Sequence, residues 1–235
     1  MIIVSKQAEE IIDTLKSMSS SHNVEGMARF GINTATALGI SMVSIRKIAK
    51  QIKKDHDLAG ELWGSGIHEA RILACLIDDP CQVSEEQMER WVSEFNSWDL
   101  CDQCCSSLFD KTPHAYDKCF HWSRDDREYV KRAGFVMMAT LSVHDKIATD
   151  EKFRQFFPEI VRGSTDERNF VKKAVNWALR QMGKRNETLN AECIELGMKI
   201  KELDSKSARW IASDALRELQ SDAVQKKLAI KKAKS

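Results

Sequence analysis

A tryptophan and an aspartate four residues apart, Trp98 and Asp102, are the pair in this chain whose types and spacing could do chemistry. At about 100° per residue they lie one turn apart on a common helix face. Ser97 is placed to cap such a helix, which would run to about residue 109. Its apolar members Leu100, Cys101, Cys104 and Leu108 point about 115° away from the pair. One stripe can therefore be buried while an aromatic ring stands beside a carboxylate. Ring faces attract cations, and a carboxylate stabilises developing positive charge and orients a water. The plainer alternative is a partly buried indole next to a solvated acid.

The elements that must position this pair read as helices throughout. Apolar residues at helical spacing predict helices over 5–18, 23–31, 41–54, 56–63, 67–78, 84–95, 126–144, 149–161, 166–184, 187–203 and 206–220, with a shorter one from Pro113. Ser84-Glu85-Glu86-Gln87 is a capping box, and Thr149 is placed to cap the helix it precedes. The 126–144 helix is apolar on most sides, as inner elements are. No segment reads as a strand. Only 3 Pro and 10 Gly interrupt the chain, which favours long helices and short turns. The lysine-rich end is expected to fray.

A basic residue followed by a small or apolar run recurs in Arg46-Lys47-Ile48-Ala49, Arg71-Ile72-Leu73-Ala74 and Arg132-Ala133-Gly134. It returns in Lys173-Ala174-Val175 and Arg209-Trp210-Ile211-Ala212. The irregular spacing approximates the helix-pair period of HEAT-like arrays. The expected fold is all-α, a right-handed solenoid of paired antiparallel HEAT-like helices with a concave basic groove. It is expected as a single domain over 1–235, with N-terminal helices in 1–40 and a basic extension in 222–235.

On the helical wheel, Arg132 points away from the stripe of Val130, Gly134, Met137, Met138 and Leu141. Trp177 lies off the stripe of its own helix, grouped with Lys173, Gln181 and Lys184; the alternative is that it packs on a neighbouring repeat. Basic clusters are candidates for phosphate contact: Arg46, Lys47, Lys50, Lys53 and Lys54, and Lys172, Lys173, Arg180, Lys184 and Arg185, with Lys131 and the C-terminal lysines. They are equally readable as solvated faces, since 36 Lys and Arg stand against 35 Asp and Glu, a net charge of +1. Binding to nucleic acid would need the positive charge gathered on one surface.

The other function classes are narrowed by what is missing. The opening Met1-Ile2-Ile3-Val4 is too short for the apolar region of a signal peptide, and the longest apolar run, 134–141, is far below membrane length. Seven cysteines without such a signal suggest reduced thiols in the cytoplasm. Cys101 and Cys104 have metal-ligand spacing, but no second paired cluster exists and both lie on the core stripe. Neither metal nor cofactor is expected.

Several phrases resemble the AlkD-like DNA alkylation-repair glycosylases, which are built from HEAT-like repeats. These are Glu61-Leu62-Trp63 through Ile67-His68-Glu69-Ala70-Arg71, then Ser97-Trp98-Asp99-Leu100-Cys101-Asp102, Tyr129-Val130-Lys131-Arg132-Ala133, and Phe170 to Arg180 around Trp177. The resemblance covers most of the chain and is best over 58–185. It implies hydrolysis of the N-glycosidic bond of cationic N3- and N7-alkylated purines in duplex DNA, without strand cleavage. Asp102 falls on the family's catalytic aspartate, Trp98 and Trp177 on its site tryptophans, and Arg132 on its site arginine, expected to hold a flanking phosphate. A monomer on double-stranded DNA is implied, with no membrane partner. Two other readings remain open: a non-catalytic binder of damaged or distorted DNA, and a helical-repeat scaffold for protein partners.

Overall fold

Serine, aspartate and asparagine caps set many of the helix starts in the computed structural model, which describes residues 5–233. The side chains of Ser5, Ser20, Ser41, Asp55 and Ser84 each accept from a backbone amide three residues on, opening α1 (Lys6–Ser17), α2 (Ser21–Arg29), α3 (Met42–Ile52), α4 (His56–Gly64) and α6 (Glu85–Ser93). Such a cap satisfies one of the amides that every helix start leaves without a partner. Between α4 and α6 runs α5 (His68–Ile77), and α7 (Trp98–Ser107) follows α6, ending in a 3-10 turn, Phe109–Lys111. Then come α8 (Ala115–Ser123), α9 (Glu128–His144), α10 (Asp150–Arg154), α11 (Phe157–Gly163), α12 (Asn169–Gly183), α13 (Glu187–Lys201), α14 (Lys206–Leu219) and α15 (Asp222–Lys232). No strand occurs among the described residues.

Two compact units make up the chain, one ending at Pro113 and the other starting at His114. In the first, Trp63 and Trp91 stack with centroids 4.0 Å apart, and Phe95 and Phe109 complete an aromatic core. Each such side chain contributes about 1.5–3 kcal/mol on burial. In the second, α9 is buried along most of its length, as its apolar composition requires. Gly134 lets it approach α8: a Cβ there would lie 2.3 Å from the backbone nitrogen of Ser123.

Two sequence expectations change. Residues 149–161 are not one helix but α10 and α11, because Pro158 has no amide to donate and fits only in the first turn of a new helix. The lysine-rich stretch from Lys226 to Lys232 does not fray but lies in α15, capped by Ser221 and anchored through buried Val224 and Leu228. The first four residues and Lys234 lie outside the described residues.

The connection from Phe30 to Ser41 is bound to α5 by one buried acid. Glu69 accepts from the amides of Leu38 at 2.8 Å, Gly39 at 2.6 Å and Ile40 at 3.2 Å. Gly39 has φ +78°, and a Cβ there would meet the Ser20 carbonyl at 2.3 Å, so the residue must be glycine. No helix among the described residues is long and apolar enough to cross a membrane.

Candidate functional site

The first turns of α7 carry Trp98 and Asp102 as the spacing predicts, both half-buried, above buried Leu100, Cys101, Cys104 and Cys105. Ser97 begins the helix but does not cap it with its side chain. Its hydroxyl instead donates to Asp99 at 2.5 Å and accepts the amide of Asn33 at 3.3 Å. The indole N–H of Trp98 donates to the carbonyl of Phe30 at 3.0 Å. The edge of this ring is thus tied to the 30–41 connection, which fixes the ring's direction.

Beneath the pair lies a polar contact that periodicity alone did not single out. Buried His68, the first residue of α5, meets Asp99 at 2.8 Å between Nε2 and Oδ2. Burial pushes the Asp99 carboxyl up, but the hydrogen bond and charge of His68, with Ser97 and a backbone amide, more than offset this and leave it below its ordinary value. The signal was present in the sequence: His68 and Glu69 are polar residues opening a helix that is apolar from Ile72 onward. The charge of Asp102 reaches the core. Burial, then Cys101, then Asp102 push the Cys105 thiol well up. Cys104 is likewise raised, by burial and by Cys75, so these thiols are protonated fillers. No His, Cys, Asp or Glu cluster among the described residues suits a metal ion.

In the second unit, Trp177 is half-buried on α12 and follows exposed Lys173 by one turn. Arg132, expected on the open side of α9, is only 5% exposed, and its Nη1 donates to the Phe170 carbonyl at 2.5 Å. It secures the first turn of the helix that carries Trp177, two turns upstream of that indole. Neighbouring Lys131 is half-buried and lies 3.4 Å from Asp166.

The basic clusters divide by what holds them. Arg46, Lys47 and Lys50 are exposed on α3. Arg46 and Lys50 line a shallow cleft of about 280 Å³ with Lys53, Lys54 and Leu76. Lys53 has φ +69°, a conformation that costs a non-glycine residue about 1–3 kcal/mol. Lys54 donates to the carbonyls of Leu76 and Asp78. In the second unit Lys173 is exposed, whereas Lys184 and Arg180 share Glu218. Arg185 donates to the carbonyls of Ser142, Asp145 and Ala148, and its guanidinium carbon sits 4.0 Å from the Phe153 ring centre. Beside it opens a cleft of about 1030 Å³, whose walls include Lys146, Lys184, Lys231 and Lys232. Lys231 donates to the carbonyls of Lys184 and Arg185. Burial and then the like charges of Lys146, Arg185, Lys184 and Lys227 hold its pKa down.

An all-helical chain with these features falls in the class of HEAT-like helical repeats. A solved structure described as "a new family of proteins related to the HEAT-like repeat DNA glycosylases with affinity for branched DNA structures" is similar at a TM-score of 0.73. It shares 19% sequence identity, and the match covers 89% of this chain and 94% of that one. The sequence matches the family model described as DNA alkylation repair enzyme over residues 11–219, and the chain belongs to that family. Weaker structural likenesses are to a designed armadillo repeat protein in complex with the peptide (KR)4, at a TM-score of 0.37, 14% identity and coverage of 80% and 89%. An engineered protein gives 0.38, 12% identity, and coverage of 91% and 92%. No curated protein matches.

Proposed function

We propose that the chain is a monofunctional DNA glycosylase that hydrolyses the N-glycosidic bond of cationic N3- and N7-alkylated purines in duplex DNA. The observation that carries this reading is the half-buried Trp98–Asp102 pair on one face of α7 in a member of the DNA alkylation repair enzyme family. Alkylation gives the base a positive charge and makes it a better leaving group. As the bond from C1′ to the base nitrogen breaks, its electron pair leaves with the purine and neutralises it. The sugar becomes oxocarbenium-like, and the Asp102 carboxylate stabilises that charge. A water held by Asp102 attacks C1′ and gives its proton to the carboxylate. The Trp98 ring, its edge tied to Phe30, offers a face to the cationic nucleotide. The family resemblance assigns Trp177, on α12, the same role.

In this reading Arg132 acts on Trp177 by fixing the start of α12, since its guanidinium is engaged with Phe170. Phosphate contacts fall to Arg46, Lys47, Lys50 and Lys173, which are exposed. Lys131, Lys172 and Lys184 contribute less, each being half-buried against a partner.

The test is release of N7-methylguanine from duplex DNA by the purified protein and by Asp102→Asn. Wild type releases the base and leaves an unbroken abasic strand. The variant, once thermal unfolding shows that it folds, is slower by about 100-fold or more. Equal release by both removes Asp102 from the chemistry.

A second reading is a non-catalytic binder of distorted DNA, supported by the cations that remain exposed, Arg46, Lys47, Lys50 and Lys173. The similar structure described by its affinity for branched DNA points the same way. It predicts salt-dependent binding with no base release.

A further inference from the structure

Trp210 is the most exposed of the six tryptophans, at 42%; Trp63, Trp91 and Trp122 are buried, and Trp98 and Trp177 half-buried. It lies in the second turn of α14, whose other face is held against α12 by a hydrogen bond of 3.1 Å from Asn176 to the Ile211 carbonyl. One turn before Asn176, Lys172 sets its Nζ 5.5 Å from the centre of the Trp210 ring. Lys173 is exposed beside it on α12, as are Lys206 and Arg209 on α14.

Two acids stand in this patch against the four cations Lys172, Lys173, Lys206 and Arg209, with Glu167 close enough to Lys172 and Lys206 to feel their charge. Glu167 accepts from the Ser205 hydroxyl and the Ser207 amide, and Asp204 pairs with Arg209. Ile211 and Ala212 are buried, and Trp210 is the one exposed large apolar side chain on α14. A single indole in a basic rim is a poor docking surface for an apolar helix, which needs a contiguous patch. Its ligand must offer a flat π-face and carry negative charge. A nucleotide does both.

We infer that Trp210 is a stacking platform for an unpaired DNA base, with Lys173 and Lys206 on the flanking phosphates and Lys172 set against the ring. The inference rests on the DNA reading above and extends it from the paired duplex to a strand that has left it. Stacking on an aromatic tolerates any base and gains nothing from one still paired in a helix.

The experiment compares a blunt duplex with a forked duplex bearing a single-stranded arm, by fluorescence anisotropy at fixed salt. Wild type, Trp210→Ala and Trp210→Phe are each titrated after thermal unfolding shows that they fold alike. The alanine variant loses roughly tenfold in affinity for the fork and none for the blunt duplex, and phenylalanine restores part of the loss. Unchanged fork binding by Trp210→Ala, or an equal loss on both DNAs, overturns the inference and leaves the DNA reading standing. Failure of wild type to bind either DNA overturns the DNA reading and the inference with it.

Discussion

Replacing Glu69 by glutamine probes how the 30–41 connection is held, and with it the direction of Trp98. The carboxylate is 1% exposed and accepts three backbone amides at 2.6–3.2 Å. Hydrogen bonds to a charged group contribute about 1.5–3 kcal/mol each, and a buried amide left without a partner costs about 1–3 kcal/mol. Glutamine keeps one carbonyl oxygen but turns an NH2 group toward amides that can only donate. At least one bond is lost and the charge is removed from the others. The expected destabilisation is about 2–4 kcal/mol, or a fall in Tm of roughly 4–16 °C for a chain of this size. Urea unfolding followed by circular dichroism gives the free energy. Native-state hydrogen exchange should show faster exchange at Leu38, Gly39 and Ile40, ahead of the α9 core. A variant within about 0.5 kcal/mol of wild type, with unchanged exchange at those amides, would refute the reasoning.

Two further outcomes follow from the packing. Gly134→Ala places a methyl group against the Ser123 backbone, which cannot rotate away, and is expected to cost about 1–3 kcal/mol or more by calorimetry; a neutral effect would mean that α8 shifts freely. The lowered pKa of Asp99 gives stability that is fully present above its unfolded value of about 3.9 and is lost as pH falls through the folded value. Urea titrations should therefore show wild type and Asp99→Asn separated at neutral pH and drawing together as pH falls below about 4; a gap that does not narrow with falling pH contradicts the assignment.

The helices were legible because their signals are local. Ser84, Asn186, Ser205 and Ser221 cap within three residues of themselves, and the 3.6-residue stripe of α12 is complete in one segment. The same periodicity placed Trp98 and Asp102 on one face. It failed for Arg132 because a wheel reports direction and not what occupies that direction: Phe170, thirty-eight residues on, lies there. Ser97 was misjudged as a side-chain cap for a similar reason, since Asn33 and Asp99 compete for its hydroxyl. The break at Pro158 was readable, and the missing amide outweighs the apolar spacing of 149–161. The lysine-rich end looked frayed because charge dominates its composition. Two apolar side chains, Val224 and Leu228, are enough to seat it.

Arg185, Lys231, Lys54 and Arg132 all donate to backbone carbonyls. A carbonyl is neutral, so such a bond fixes where a cation sits and leaves its compensation to other groups: Asp145 and Asp150 act on Arg185, and Asp78 and Asp79 on Lys54. Each of these cations is held in place, and what its neighbouring acids leave of its field extends into solvent over about a Debye length, 8–10 Å at physiological salt. Fixed charges of this kind act on a polyanion before contact, raising the frequency of productive encounters. Their contribution would therefore appear in the association rate with DNA and its ionic-strength dependence, and hardly at all in the lifetime of the complex once formed.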